Sequence, residues 1–333
     1  MWHWLISSLA AGATIILYDG SPFHPHGDLS MPRLIQDLKI TQFGTSAKYL
    51  SILEQKRIRL LEGDKKLDLS SLKAIYSTGS PLAPSTFNYV YSAFPSSINL
   101  GSITGGTDII SLFGASCPLL PVYSGEIQCK GLGMAVEAWS PDGISVPAGE
   151  EGDLVCTKPF PCQPVTFFSS HPSAGQQKYR EAYFETFPGV WHHGDFVRFE
   201  KGTGGITMLG RSDGILKPSG VRFGSAEIYN VLLKHFPGDV ADAICVGRRR
   251  ETDSDETVVL FLKMEEGRVC DEELKGKIRT VVRKELSARH VPGVIDECFE
   301  IPVTGNGKKY VLPCDRLRSD RVADQINTGL RLR

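Results

Sequence analysis

The stretch Leu72-Lys73-Ala74-Ile75-Tyr76-Ser77-Thr78-Gly79-Ser80-Pro81 decides the fold class. It begins as a short apolar run, stops at a glycine turn, and is followed by a helical pattern from Ala83 to Phe94. Strand, glycine turn and helix in that order build a parallel α/β sheet, where ligands bind at the carboxyl ends of the strands. The next strand-like run, Ile98 to Ile103, delivers Thr104-Gly105-Gly106-Thr107-Asp108 to the same edge.

Upstream, residues 31–55 alternate helix-like stretches with a strand-like step at Ile40-Thr41-Gln42-Phe43. The apolar start, Met1 to Tyr18, has no basic residue ahead of its hydrophobic part and is marginal in length for a bilayer. It reads as a helix followed by a buried strand, Thr14-Ile15-Ile16-Leu17-Tyr18, which ends at Asp19-Gly20-Ser21-Pro22. A core helix and strand with nothing ahead of them are expected to follow missing upstream chain.

Downstream of Pro121 the texture changes. Short β-rich runs at Val122 to Cys129, Met134 to Trp139 and Gly152 to Thr157, broken by glycine and proline, predict a small antiparallel sheet or β-barrel-like subdomain over about 121–210. After Asp213 the pattern predicts helices over Ser225 to Phe236 and Asp271 to Leu286, with strands over Val240 to Val246 and Thr257 to Met264. This predicts a large α/β domain over 1–210, a small α+β domain over 214–333 and a joint at 211–213.

The 333 residues carry a net charge of −1, with 41% hydrophobic and 23% charged residues. That balance gives no electrostatic reason to bind nucleic acid or an anionic membrane, so the expected partner is a small molecule. The eight cysteines form no Cys-x-x-Cys pair and are thinly spread, which fits reduced, buried thiols in a cytosolic protein. There is no Gly-x-Ser-x-Gly, His-Glu-x-x-His, Gly-x-Gly-x-x-Gly or Gly-x-x-x-x-Gly-Lys motif. Neither His24-Pro25-His26 nor His192-His193 makes a convincing zinc site.

Three constellations carry possible chemistry. Trp191-His192-His193-Gly194-Asp195 places an acid at a strand-to-turn junction, and Gly210-Arg211-Ser212-Asp213-Gly214 places an arginine one hairpin later. Together they offer an acceptor pair for vicinal ribose hydroxyls and a neighbouring donor; the plain alternative is a salt bridge stapling a hairpin. Ser219-Gly220-Val221-Arg222 adds a second cation beyond close-approach glycines. Thr107 and Asp108, after Gly105 and Gly106, supply a hydroxyl and amides for phosphate and a carboxylate for magnesium, or else cap a helix. In Gly305-Asn306-Gly307-Lys308 a lysine beyond a flexible turn reaches developing negative charge, or is a solvated hairpin side chain.

These constellations, with Leu17 to Pro22, Ser77 to Leu82, Gly101 to Ile110, Gly125 to Gln128, Gly133 to Trp139, Leu154 to Pro159 and Leu286 to Pro292, resemble the adenylate-forming superfamily of acyl-CoA synthetases. The detail points to its acetoacetyl-CoA synthetase family. The resemblance covers nearly the whole chain except its last twenty or so residues. It implies a partial AMP-binding domain followed by a lid domain, and a two-step ligation of acetoacetate or a similar short acid to CoA. ATP, AMP and CoA are then substrates, with Mg2+ as cofactor.

By that resemblance Gly79, Ser80 and Pro81 border the adenine, Thr107 holds the α-phosphate, and Asp108 binds magnesium where relatives usually have glutamate. Asp195 and Arg211 hold the ribose, Arg222 a phosphate, Lys308 promotes adenylation, and Asp213 is the hinge. Ser219, Gly220 and Arg283 line the CoA path. Relatives also carry, upstream, a Ser/Thr/Gly-rich loop that cradles the outer ATP phosphates. The chain is therefore expected to be N-terminally truncated and impaired as written, or to be a non-catalytic nucleotide- or CoA-binding remnant or partner subunit.

Overall fold

The computed structural model describes residues 2–63, 66–218, 221–248, 253, 255–302 and 309. The chain folds as two compact units, the first comprising 1–78, 86–193 and 197–207, the second 79–85, 194–196 and 208 onward.

The first unit opens with α1 (Trp2–Ala10), α2 (Ser30–Asp37), β1 (Gln42–Ser46), α3 (Ala47–Gln55), β2 (Ala74–Thr78), α4 (Pro84–Ala93) and β3 (Asn99–Ser102). Strands β1, β2 and β3 form a parallel sheet in that order, with Gly44 opposite Tyr76 and Tyr76 opposite Gly101. Ser46 caps α3 by accepting from the Tyr49 amide at 3.1 Å. Leu50, Leu53, Leu72, Ile75, Phe87, Val90 and Leu100 are buried, which places the core between this sheet and its helices.

The predicted strand at Thr14–Tyr18 does not form. The segment has no strand assignment and is largely exposed, with Leu17 at 79%. β-branched residues fit a pleated surface, but a strand is held by a neighbour that accepts its ladder, and among the described residues this segment pairs with none.

The β-rich region contains β4 (Thr104–Gly106), β5 (Ser111–Ala115), β6 (Cys129–Lys130), β7 (Val136–Trp139), β8 (Glu151–Cys156), then α5 (Pro172–Tyr183), β9 (Trp191–Phe199) and β10 (Ile206–Arg211). Strands β4, β5 and β6 form one sheet, and the order β10-β9-β8-β7 forms another. An antiparallel bridge between Ile127 and Ile206 links them. The run predicted as a strand over Val122 to Cys129 contributes only that bridge and the start of β6; Gln128 instead bonds by its side chain to the Cys117 and Leu120 carbonyls.

The second unit contains β11 (Ile215–Leu216), β12 (Phe223–Gly224), α6 (Ser225–His235), β13 (Val240–Arg248), β14 (Thr257–Met264), α7 (Glu272–Glu285) and β15 (Val294–Glu297). β14 lies between antiparallel β13 and parallel β15. Its run Val258-Val259-Leu260-Phe261-Leu262 is buried on both faces. Val258, Leu260 and Leu262 pack with Ile228, Leu232, Ile278 and Val282 of the helices, whereas Val259 and Phe261 pack with Ile244, Cys298 and Ile301. Each such fully buried side chain contributes about 1.5–3 kcal/mol.

Both helices of this unit have ends that their sequence dictates. Glu227 accepts from the Gly224 amide at 3.0 Å, closing the first turn of α6. Asp271 accepts from the Leu274 amide at 2.8 Å, and α7 carries Glu272 and Glu273 in its first turn and Arg283 and Lys284 in its last. That charge order opposes the helix dipole at both ends.

Among the described residues no helix is long and apolar enough to cross a membrane. Seven of the cysteines are described, all as free thiols. Cys156, Cys245 and Cys298 are buried, while Cys117, Cys129, Cys162 and Cys270 are half-buried, so full burial holds for only some of them.

Candidate nucleotide site

The carboxyl ends of the neighbouring parallel strands β2 and β3 lead into Gly79-Ser80-Pro81 and into Thr104-Gly105-Gly106-Thr107-Asp108. Gly79 has φ +94, which only glycine adopts without strain, so the chain turns at the strand end as predicted. The second loop differs from expectation. No helix follows Thr107 and Asp108; they sit in a turn between β4 and β5, which excludes the helix-capping reading. Thr107 and Asp108 are exposed while Ile109 between the strands is fully buried and anchors the turn.

Gly105 and Gly106 are required by close packing. A Cβ on Gly105 would lie 2.1 Å from the Ser111 carbonyl oxygen, and one on Gly106 would lie 2.7 Å from Cε1 of His193. His193 is buried, edge-on to Phe113 with centroids 4.7 Å apart. Trp191 donates its indole N–H to His193 Nδ1 at 3.2 Å. Because indole only donates, Nδ1 carries the lone pair and a neutral ring carries its proton on Nε2. Asp108 accepts a hydrogen bond from the Tyr183 phenol, which α5 contributes.

Asp195 lies within the nine-residue β9 and not at a strand-to-turn junction, because the strand continues past Gly194 to Phe199. Gly194, at φ +78, bends it there, and a Cβ on Gly194 would meet Arg211 Nη2 at 2.8 Å. Arg211 Nη1 stands 3.4 Å from Asp195 Oδ1. The carboxylate side chain is only 12% exposed whereas the arginine is 56% exposed. The acid is thus held in place with its partner reaching into solvent. Arg222 places its guanidinium carbon 5.1 Å from the Phe196 ring centroid, next to Asp195 in the chain.

The structure therefore brings Asp195, Arg211 and Arg222 together in one unit, and Gly106, Asp108, His193 and Tyr183 together in the other. Asp213, expected from the sequence to be the hinge, falls in a 3-10 turn, Ser212–Gly214. Arg283 is on the exposed face of α7. Ser219, Gly220 and Lys308 lie outside the described residues. Lys309, next to Lys308, donates to the Ala243 carbonyl at 2.6 Å, pairs with Asp242 at 2.7 Å and stands 4.0 Å from the Tyr229 ring centroid.

Sequence reasoning missed Tyr183, His193 and Lys309 as parts of these assemblies. For Tyr183 a signal existed: Pro172 opening a helical stretch, and Tyr179 and Tyr183 at i, i+4 spacing on one face.

Residues 227–308 match the family described as AMP-binding enzyme C-terminal domain. Acetoacetyl-CoA synthetase from Gallus gallus is 49% identical over 325 residues, which is 98% of this chain and 47% of that protein. The solved structure of acetoacetyl-CoA synthetase from Streptomyces lividans superposes with a TM-score of 0.83 at 34% identity, covering 98% of this chain and 48% of that one. This chain is a homologue of the acetoacetyl-CoA synthetases. The homologue is also 54% identical to malonamoyl-CoA synthetase vrtB of Penicillium aethiopicum, over 96% of this chain and 44% of that protein. It spans about half the length of the curated relatives it matches. Its mixed helix and sheet fold is that of the adenylate-forming enzymes.

Proposed function

We propose that this chain is the part of an acid–thiol ligase that holds the nucleotide and carries the lid. The acid's carboxylate oxygen attacks the α-phosphorus of ATP, releasing pyrophosphate; the CoA thiol then attacks the acyl carbon and releases AMP. The observation that carries this reading is the buried Asp195 paired with solvent-reaching Arg211, in a chain homologous along nearly all its length to acyl-CoA synthetases.

In this reading Asp195 accepts from both ribose hydroxyls, with Arg211 beside it and Arg222 on a phosphate. Gly105 and Gly106 let the backbone of the Thr107 turn approach the α-phosphate, and the Thr107 hydroxyl completes the contact. Gly79, Ser80 and Pro81 border the adenine. Lys308 stabilises charge during adenylation, the small domain over 214–333 turns about 211–213 at Asp213, and Ser219, Gly220 and Arg283 flank the CoA path.

Asp108 fits a magnesium ion bound with ATP: it is exposed, carries hard oxygen donors, and one carboxylate suffices when phosphates supply other ligands. Bound there, the ion would neutralise charge on the phosphates. Among the described residues no group of three or more histidines, cysteines or acids is placed to hold a metal ion. The proposed compartment is the cytosol.

The acid is proposed to be acetoacetate. Malonamate is the second candidate, favoured by the 54% identical relative named for it. The two differ only in a methyl or an amino group on the far carbonyl, so one pocket shape serves both, and an acceptor for the amide N–H separates them. The test is ATP–pyrophosphate exchange with each acid, alongside calorimetry with AMP and CoA. Exchange dependent on either acid supports the ligase; AMP binding without exchange supports a nucleotide- or CoA-binding module. Absence of both AMP and CoA binding sinks both readings.

A further inference from the structure

Asp108 sits in an exposed turn, yet its carboxylate is tied to a residue 75 positions away, the Tyr183 phenol, which donates to Oδ2. Tyr183 is fixed from behind. Its ring stacks on Trp191 with centroids 3.7 Å apart and an interplanar angle of 15°, and Phe167 stands edge-on at 6.0 Å. Trp191 donates to His193, and the His193 ring fills the space that a side chain on Gly106 would need. A closed circuit thus runs from Gly106 through His193, Trp191 and Tyr183 to Asp108, two residues further along the same turn.

We propose that Tyr183 is a positioning residue that pre-aims the Asp108 carboxylate at the magnesium–nucleotide; this rests on the reading of Asp108 given above. A phenol is a neutral donor, so it fixes one carboxylate oxygen without cancelling the charge that attracts the cation, as an arginine would. Asp108 is exposed, so without a partner its carboxylate would sample several rotamers. The stacked Tyr183–Trp191 pair fixes its direction, and the carboxylate then loses less conformational freedom on binding.

The test is calorimetric titration of ATP into the full chain with and without Mg2+, read as the Mg2+-dependent gain in affinity. Tyr183→Phe keeps the stacked ring and removes only the hydrogen bond. It should reduce that gain by about fivefold while leaving Mg2+-free ATP affinity and the melting temperature unchanged. Asp108→Asn should abolish the gain, and adding Tyr183→Phe to it should change nothing more. If Asp108→Asn abolishes the gain but Tyr183→Phe leaves it within twofold, the positioning role is overturned alone. A loss in Tyr183→Phe shared equally by Mg2+-free binding and melting also overturns it, since it marks packing only. No Mg2+-dependent gain in the wild type, or a gain that survives Asp108→Asn, overturns the metal reading itself.

Discussion

Replacing Asp195 separates a ribose clamp from a hairpin staple, because the two roles put the cost in different measurements. As a clamp, the carboxylate accepts from two vicinal hydroxyls; at about 1.5 kcal/mol for each hydrogen bond to a charged group, the total is about 3 kcal/mol. At about 1.4 kcal/mol per tenfold, Asp195→Ala should weaken AMP binding about a hundredfold, and Asp195→Asn, which keeps one neutral acceptor, about tenfold. The cost in stability should be small. Arg211 is 56% exposed, so losing the pair returns its guanidinium to water, at about 1 kcal/mol or less. The assay is calorimetry with AMP and with 2′,3′-dideoxy-AMP, together with thermal melting. Asp195→Asn should weaken AMP but not the dideoxy nucleotide, which has no hydroxyls to lose. AMP affinity within twofold of wild type, with a lowered melting temperature, would refute the clamp and leave only the staple.

Gly106→Ala forces a Cβ to within 2.7 Å of the His193 ring, so it should cost about 1–3 kcal/mol in urea denaturation and weaken ATP binding as the turn shifts. The adjacent lysines should divide their effects. Lys308→Ala should slow pyrophosphate exchange about a hundredfold with little change in stability. Lys309→Met removes a cation from Asp242 and a donor from the Ala243 carbonyl, and should lower stability by about 1–3 kcal/mol. Burial, reinforced by Asp242, raises the Cys298 thiol from its ordinary value near 9 to about 11. Both states hold that proton below pH 9; above it the unfolded thiol ionises first, so stability should fall as pH rises from 9 through about 11. Cys298→Ala should make that decline shallower in pH-dependent denaturation, and an unchanged slope would count against the buried thiol as its source.

The second unit was the most legible part of the chain. The strand over Thr257–Met264 has the bounds the sequence indicates, and α7 runs between its capping Asp271 and Leu286. Both have strong local signals: a continuous apolar run in one case, a cap and dipole-matched charges in the other. Thr14–Tyr18 failed for the opposite reason, since a strand depends on a partner that its own residues do not specify. The Asp195 and Arg211 pairing was readable from two glycine-flanked charges on one hairpin. The tie between Tyr183 and Asp108 was not: the i, i+4 spacing of Tyr179 and Tyr183 marks a helix face, but nothing in either segment names the other as its partner.

The placement of β14 bears on how the chain acquires its structure. Its antiparallel partner β13 precedes it by a short connection, and its parallel partner β15 follows after the single crossover helix α7. All these pairings close within one contiguous stretch from Val240 to Glu297, and α6 joins from just upstream. Loop-closure entropy grows with separation, and local topologies fold faster. The first unit must instead join Ile127 to Ile206 and Asp108 to Tyr183. Refolding should therefore show this sheet gaining its hydrogen-exchange protection first, with the aromatic circuit around Trp191 locking last.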